Sequence, residues 1–414
     1  MMKLPFDLKF LKNKQRPSNK RFLTIDIGSE VVKCMAFEVA ENQHGYYANI
    51  IGVGKETLSY GSARSGIVVD IDEVEKSIES AVERATLELG GKIKEVIFGV
   101  SGDLSLGLMT TVRLVRAKGD KITDKELDDI YSKIHEASYN QALNELMEIT
   151  GDTEEDIELI TSSLVYTKLD GNEVKDVIGQ EGKVLEIAMF TAFTPSFHTK
   201  MLQTISKNLG LKILAIGSNM YSLTKSLSFA KGRYFDGVIM DVGGEVTDVG
   251  IVFGGGIVST RSLSIGGAHF TRALGKKLGI TYLDAEQKKK SYSFGRLSSD
   301  ENARVEDNMY EIMEIWLSGI ELLFMDFTGV KTFSSQICLV GGGASLPELV
   351  NFVNKEPWSK SIPFRSPPEF IKLTLSDLHK VADSTGKVYG LEDIMPASLS
   401  IVYLEMGGYL NGIL

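Results

Sequence analysis

The chain has 414 residues, 43% hydrophobic and 24% charged, a composition ordinary for a globular protein and a length beyond one core. Its formal charge of −10 argues against general nucleic-acid binding, because an acidic surface repels phosphate. No stretch approaches the roughly 18 apolar residues of a membrane span, and Cys34 and Cys338 lie far apart in apolar runs, as buried thiols of a reducing cytoplasm do.

Residues 1–20 read as a basic, apolar N-terminal arm. Through Arg21 this region carries Lys3, Lys9, Lys12, Lys14, Arg16 and Lys20 against one acid, Asp7, with Leu4, Phe6, Leu8, Phe10 and Leu11 interspersed. It lacks the continuous apolar run and cleavage site of a signal peptide. Two readings stay open: a disordered tail, or a weak anchor, through residues 1–21, for an anionic membrane surface or a partner.

Three strands are predicted next: one ending at Asp26, one over Val31–Val39 and one over Tyr46–Val53. Asp70 then caps a helix, with Glu73 as a capping-box variant. Val74, Ile78, Ala81, Val82, Ala85 and Leu89 recur at three- and four-residue steps as one buried stripe; Gly90-Gly91 ends the helix and Glu95–Val100 is the next strand. Residues 105–187 interrupt this β-β-β-α-β unit with a polar helix (Asp124–Met147), an acidic link at 151–156 and strands near 161–169 and 183–191. They form a small α+β insert that reconnects through Phe193-Thr194-Pro195. A second such unit has strands at 236–241, 246–253 and 257–265 and a helix over Ala268–Leu278. Met309, Ile312, Met313, Trp316, Leu317, Ile320, Leu323, Phe324 and Phe327 mark a long amphipathic helix whose apolar face is core.

The repeat includes a turn. Asp26-Ile27-Gly28-Ser29-Glu30-Val31 returns as Asp241-Val242-Gly243-Gly244-Glu245-Val246, each copy between two strand-like runs. Glycine lets backbone N–H groups approach an anion closely, and an acid beside phosphate makes sense with a hydrated Mg²⁺ between them. One such turn alone reads as a tight hairpin. Two in matching contexts suggest duplicated halves around a nucleotide cleft. A third segment runs from the Ile337–Val340 strand into Gly341-Gly342-Gly343, a turn flat enough to lie against a base or ribose. Glu286 and Lys289 share one helix face; they either reach a ribose together or form a solvated charged surface.

Other motifs fail. Gly54-Lys55-Glu56 lacks the Ser/Thr and upstream glycine of a P-loop, and Gly99-Val100-Ser101-Gly102-Asp103 lacks the last glycine of a nucleophile elbow. The five histidines show no metal-ligand spacing.

Together these turns and the duplicated unit resemble the actin/heat-shock chaperone/sugar-kinase superfamily. Within it the chain is most similar to the bacterial cell-division protein FtsA family, on Asn49-Ile50-Ile51-Gly52-Val53-Gly54, Gly66-Ile67-Val68-Val69-Asp70-Ile71, Gly99-Val100-Ser101-Gly102, Gly266-Gly267-Ala268-His269-Phe270-Thr271 and Ala285-Glu286 through Lys289. The resemblance implies an α/β, actin-like (ribonuclease H-like duplicated) two-domain fold with a small α+β insert of the 1C (SHS2) type. Its expected parts are the arm (1–20), a first actin-like half (1A, 21–104), the 1C-like insert (105–187), a return to 1A (188–231), a second half (2A/2B, 232–393) and a segment packing back on 1A (394–414). It also implies ATP and Mg²⁺ as cofactors, with Asp26, Gly28 and Ser29 in the first phosphate turn. Asp241, Gly243, Gly244 and Thr247 would form the second, and Glu286, Lys289, Gly341, Gly342 and Gly343 would surround the adenosine. Asp26 and Asp241 would hold the metal through water.

The implied function is a head-to-tail filament that links the tubulin-like FtsZ to the inner face of the cytoplasmic membrane at the septum. The FtsZ C-terminal peptide would bind around 270–330, with Arg296 and Arg304 as contacts, and other divisome membrane proteins would meet the insert. No nucleic acid is expected. Three departures matter. Glu245 replaces a glycine common among relatives and is expected to crowd or repel a γ-phosphate. Ile216-Gly217-Ser218-Asn219 offers no Glu or Gln to orient a water, so ATPase activity is expected to be weak or absent. The chain reaches Leu414 without the terminal amphipathic helix usual in FtsA, leaving membrane contact to residues 1–21 or to a partner. The Asp-x-Gly-x-Glu-x-Thr form of the second turn also resembles PilM, the actin-like component of type IV pilus machines. A small-molecule kinase of the superfamily is the enzymatic alternative.

Overall fold

The structure, a computed structural model, describes residues 20–150, 156–174, 176–228, 235–327, 329–355 and 357–410. The arm up to residue 19, most of the acidic link (151–155) and residues 411–414 lie outside these, and so do the expectations attached to them.

β1 (Arg21–Ile27), β2 (Val31–Asn42) and β3 (Gly45–Thr57) form an antiparallel meander. A short hairpin, β4 (Ala63–Arg64) and β5 (Ile67–Val68), leads into α1 (Ile71–Thr86), where the Asp70 carboxylate accepts the Glu73 amide at 3.1 Å. Val74, Ile78, Ala81 and Ala85 are buried, as the periodicity predicts. The helix stops short of Gly90-Gly91. Leu87 stands in solvent, and the Leu89 amide turns back to the Thr86 carbonyl while its side chain still packs on the core. β6 (Glu95–Val100) then lies parallel to β1.

The next segment contains β7 (Leu106–Val115), α2 (Asp124–Thr150), β8 (Ile157–Leu169), β9 (Asn172–Glu173) and β10 (Val184–Pro195). Leu127, Ile130 and Ile134 of α2 pack on Leu185, Ile187 and Met189 of β10. β10 remains a strand through Phe193-Thr194-Pro195 because β7 pairs with it as far as Phe193, opposite Leu106, and β8 as far as Pro195, opposite Ile157. α3 (Ser196–Asn208), β11 (Lys212–Ser218), parallel to β6, and α4 (Asn219–Ser228) follow.

The second unit repeats the first. β12 (Gly237–Val242), β13 (Thr247–Phe253) and β14 (Gly256–Leu263) form a meander followed by α5 (Gly267–Leu278), α6 (Tyr282–Ser293) and α7 (Ser299–Met325). β15 (Gln336–Val340) lies parallel to β12 as β6 does to β1. α8 (Pro347–Lys355), β16 (Glu369–Lys372), β17 (Val381–Asp383), α9 (Leu391–Ser398) and α10 (Ser400–Met406) complete the described chain. The predicted stripe of α7 is the centre of this half's core: Met309, Met313, Trp316, Ile320 and Phe324 are all buried.

Among the described residues the strands form a six-stranded sheet, β11-β6-β1-β2-β3-β17, and a nine-stranded sheet, β16-β15-β12-β13-β14-β7-β10-β8-β9. The segment containing β7–β10 thus extends the second unit's sheet, joined through the pairing of Ser259 with Leu108. Between the sheets α9 bonds to both: Thr24 of β1 donates to the Pro396 carbonyl at 3.1 Å, and the Gly341 amide donates to the Leu391 carbonyl at 3.1 Å.

α1 lies directly on β3 at Gly52 and Gly54. A Cβ at either position would collide with the Ala85 or Ala81 carbonyl of the helix. Because backbone cannot yield as a side-chain tip can, Gly54→Ala should destabilise the protein by about 1–3 kcal/mol or more. Urea unfolding checks this; an unchanged midpoint would contradict the backbone contact.

Candidate functional site

The two predicted turns are built alike and meet. In each hairpin the glycine amide donates across a four-residue turn: Gly28 to the Val31 carbonyl at 3.1 Å, Gly243 to the Val246 carbonyl at 2.9 Å. Each turn follows a central strand whose other neighbour is parallel, so Asp26 lies beside Gly99 and Asp241 beside Val340. A Cβ on Gly244 would stand 3.4 Å from Ser29 Cβ and 3.2 Å from Glu30 Cγ, so the turns face each other at van der Waals distance. They open onto a cleft of ≈460 Å³ that is also lined by Gly341, Gly342, Gly343, Glu286 and Lys289. Asp26, Gly28, Ser29, Asp241, Gly243 and Gly244 all reach it.

Thr247 does not. Its hydroxyl donates to the Ile265 carbonyl at 2.7 Å and accepts from Trp316 Nε1 at 3.0 Å, which locks it in the core behind the turn; Val246 lines the cleft instead. Glu245 also departs from expectation. It pairs with Arg272 at 3.4 Å and is absent from the lining, so it does not crowd the space between the turns. Ion pairing with α5 draws its side chain aside.

The duplicated hairpins differ at one matched position. Asp26 faces Lys33 across β1 and β2, whereas Asp241 faces Asp248 across β12 and β13. Lys33 Nζ sits 3.0 Å from Asp26 Oδ2, and Asn219 Nδ2 donates to Asp26 Oδ1 at 2.9 Å. Burial alone would push the Lys33 pKa down. Asp26 above all, with Asp241 and Glu392, holds it above its ordinary value. Asp241 makes no side-chain hydrogen bond or ion pair among the described residues. Burial pushes its pKa up to about 6, with Lys33 opposing and Asp26 adding to the rise. Asp248 turns away to Ser262, which donates to it at 2.6 Å.

On the far side, Glu286 and Lys289 pair with each other at 2.7 Å. Lys289 also donates to the Gly267 carbonyl at 2.8 Å and to Thr271 Oγ1 at 2.6 Å. Burial raises the Glu286 pKa, but Lys289, Thr271 and Lys290 more than offset it, so the carboxylate is held below its ordinary value. Gly341 adopts φ +87°, where any Cβ would collide with Asp241 Oδ1; the third motif is therefore pressed against the second turn. Arg296 and Arg304, the expected peptide contacts, are both exposed.

Sequence reasoning missed Lys33, Lys55 and Asn219. Lys33 was recoverable, since a four-residue turn puts positions 26 and 33 opposite each other. Lys55, which sits 3.0 Å from Glu392 and 2.5 Å from Asp393, depends on a contact 337 residues away. Asn219 was read only for what it is not. Its amide bridges Asp26 and Ser101 Oγ (2.5 Å), leaving its Oδ1 buried without a partner.

Burial makes the folded state hold a proton on Asp241 that an unfolded chain releases at the ordinary aspartate value of 3.8. Stability therefore falls as pH rises from 3.8 to about 6, and the full penalty persists above that. Asp241→Asn should stabilise the nucleotide-free protein by about 2–3 kcal/mol at pH 8 and leave it unchanged at pH 3.5. Chemical unfolding at the two pH values tests this; an equal gain at both would contradict the buried, ionised state.

Residues 238–382 match the family model of the cell division protein FtsA. FtsA from Enterococcus hirae is 25% identical over 356 residues, covering 81% of this chain and 76% of the relative. FtsA from Bacillus subtilis is 24% identical over 307 residues, covering 72% and 63%. Among solved structures, a PilM–PilN type IV pilus biogenesis complex superposes with a TM-score of 0.62 at 15% identity, covering 94% of this chain and 99% of that one. The ethanolamine utilization protein EutJ from Carboxydothermus hydrogenoformans gives 0.51 at 11% identity, covering 95% and 92%. These two show shared fold alone. The chain has the actin-like two-domain fold and resembles, over most of its length, the bacterial cell-division protein FtsA family.

Proposed function

We propose that the chain binds ATP with Mg²⁺ between the paired turns and works as an actin-like cytoskeletal protein of cell division. In this reading it polymerises head to tail and links FtsZ filaments to the cytoplasmic membrane. The observation that carries it is the apposition of two Asp–Gly turns with the Gly341–Gly343 turn around one cleft. The residues present fit the ligand. Gly28, Gly243 and Gly244 leave room for phosphate, and Lys33 supplies a partly buried cation beside them. Asp241 is the carboxylate left uncommitted for a hydrated cation, while Asp26 is shared with Lys33 and Asn219. Glu286 and Lys289 are positioned for a ribose and Gly341–Gly343 for the base. Residues 21–104 and 188–231 serve as the first half, 232–393 as the second and 105–187 as the partner-binding insert.

Turnover is slow or absent in this reading. Asn219, in the 216–219 segment that offers no Glu or Gln, spends its amide on Asp26 and Ser101 instead of a water. A phosphate-release rate of about 1 s⁻¹ or more, as in active phosphoryl-transfer enzymes, would overturn that point.

Binding is tested directly. ATP with Mg²⁺ at a hundredfold excess over Kd should raise the melting temperature by roughly 3–5 °C. Gly342→Val should abolish the rise without unfolding the protein, since a Cβ there meets only Glu392 Cβ at 3.8 Å. An undiminished rise in that variant would remove Gly341–Gly343 from the site.

The partner is a separate question, because a PilM–PilN complex shares the fold. The FtsZ C-terminal peptide should bind and lose affinity about tenfold on Arg296→Ala with Arg304→Ala, the loss of roughly 1.4 kcal/mol. Binding of a pilus membrane-protein peptide with no binding of the FtsZ tail would invert the assignment. No described helix is long and apolar enough to cross a membrane; in this reading the basic, apolar residues 1–21 or a partner make the membrane link.

A further inference from the structure

The mouth of the cleft carries contacts that the nucleotide reading does not use. The Glu30 carboxylate, in the first turn, accepts a hydrogen bond from the Tyr282 hydroxyl at the start of α6, on the other half. Tyr60, in the loop after β3, lays its ring 5.0 Å from that of Tyr282, at 50°. The Tyr60 hydroxyl in turn lies 3.4 Å from Arg272 Nη1 of α5, which is also 3.4 Å from Glu245 in the second turn. The chain of contacts therefore runs from one turn to the other: Glu30, Tyr282, Tyr60, Arg272, Glu245. It crosses between halves at Glu30–Tyr282, at the tyrosine pair and at Tyr60–Arg272. At the opposite, closed side the halves are both bonded to α9, through Thr24 and Gly341. A rotation about that floor separates the rim most, and the rim is where these side chains stand.

We propose that Glu30, Tyr60, Tyr282, Arg272 and Glu245 form a clasp that holds the two halves closed and gates the entry and release of the bound nucleotide. The gating rests on the nucleotide reading of the cleft; the closure does not. The geometry also gives Glu245 a role that its place in the second turn alone does not suggest, as the anchor of the arginine. Tyr60 is 66% exposed, so it contributes little to the core and its placement over Tyr282 is a rim contact.

Two variants test the clasp in the full chain. Tyr282→Phe removes only the hydroxyl that Glu30 accepts, and Tyr60→Ala removes an exposed ring; neither opens a core cavity. Hydrogen–deuterium exchange of the nucleotide-free protein reads closure through the amides of residues 28–31 and 243–246. Each variant should raise exchange there roughly threefold to tenfold, the effect of losing one aromatic pair or hydrogen bond, with protection in β6 and β15 unchanged. Unchanged exchange at both turns would overturn the clasp. Release of ATP carrying a fluorescent N-methylanthraniloyl group, followed by stopped flow, should accelerate by a similar factor. Faster exchange with unaltered release would overturn the gating and leave closure standing. Faster exchange in a protein that binds no labelled ATP would support closure and refute the nucleotide reading instead.

Discussion

One partly buried ammonium joins the centre of this molecule. Two strand ends, each carrying an aspartate, converge there, and burial together with the neighbouring Asp26 carboxylate raises the Asp241 pKa. Lys33 pairs directly with Asp26 and draws on Asp241 and Glu392 as well, so a single cation serves acids from both sheets and from α9. The cost is borne by Asp241, which makes no side-chain hydrogen bond or ion pair among the described residues and whose pKa burial raises. The arrangement is thus short of positive charge on one side, the condition a hydrated divalent cation would relieve.

The duplication explains the architecture, and its imperfections explain the chemistry. Both units have a meander, a glycine turn closed by the same amide-to-carbonyl bond, and a parallel strand beside the first. The copies diverge where the hairpin places residues opposite the aspartate. Lysine stands there in the first and aspartate in the second, and the latter turns to Ser262. The turn residues diverge too: Ser29-Glu30 in one, Gly244-Glu245 in the other. Both glutamates find partners on the helices of the second half, but only Glu245, paired with Arg272, leaves the cleft lining; Glu30 stays against Gly244 while accepting from Tyr282.

Much of this was legible in the sequence. Apolar strand-like runs located the strands of both meanders to within a few residues, and an amphipathic pattern found the buried face of α7. The two hexapeptides with Gly341–Gly343 found the three turns that meet at the cleft, though not most of the side chains that line the rest of it. What escaped was of two kinds. Thr247 and Glu245 were assigned from their place in a motif, but a neighbour distant in sequence decided their direction: Trp316 claims one and Arg272 the other. Lys55 and Asn219 carry no local signal, since their partners are brought together only when α9 and α4 pack beneath the turns. The extension of β10 to Pro195 escaped for a related reason. Pairing with β7 to Phe193 and with β8 to Pro195 sustains that strand, and a single segment cannot display its neighbours.

The placement of the two thiols has its own consequence. Cys34 lies in β2 of the six-stranded sheet and Cys338 in β15 of the other, each essentially inaccessible, and burial pushes both pKa values up, that of Cys338 to about 12. Neither sulfur reacts while its own sheet is intact, because it is both covered and protonated. The chain therefore has one internal clock for each lobe: alkylation at position 34 times the loosening of one, alkylation at 338 the other, and a difference between the rates measures how independently the lobes come apart.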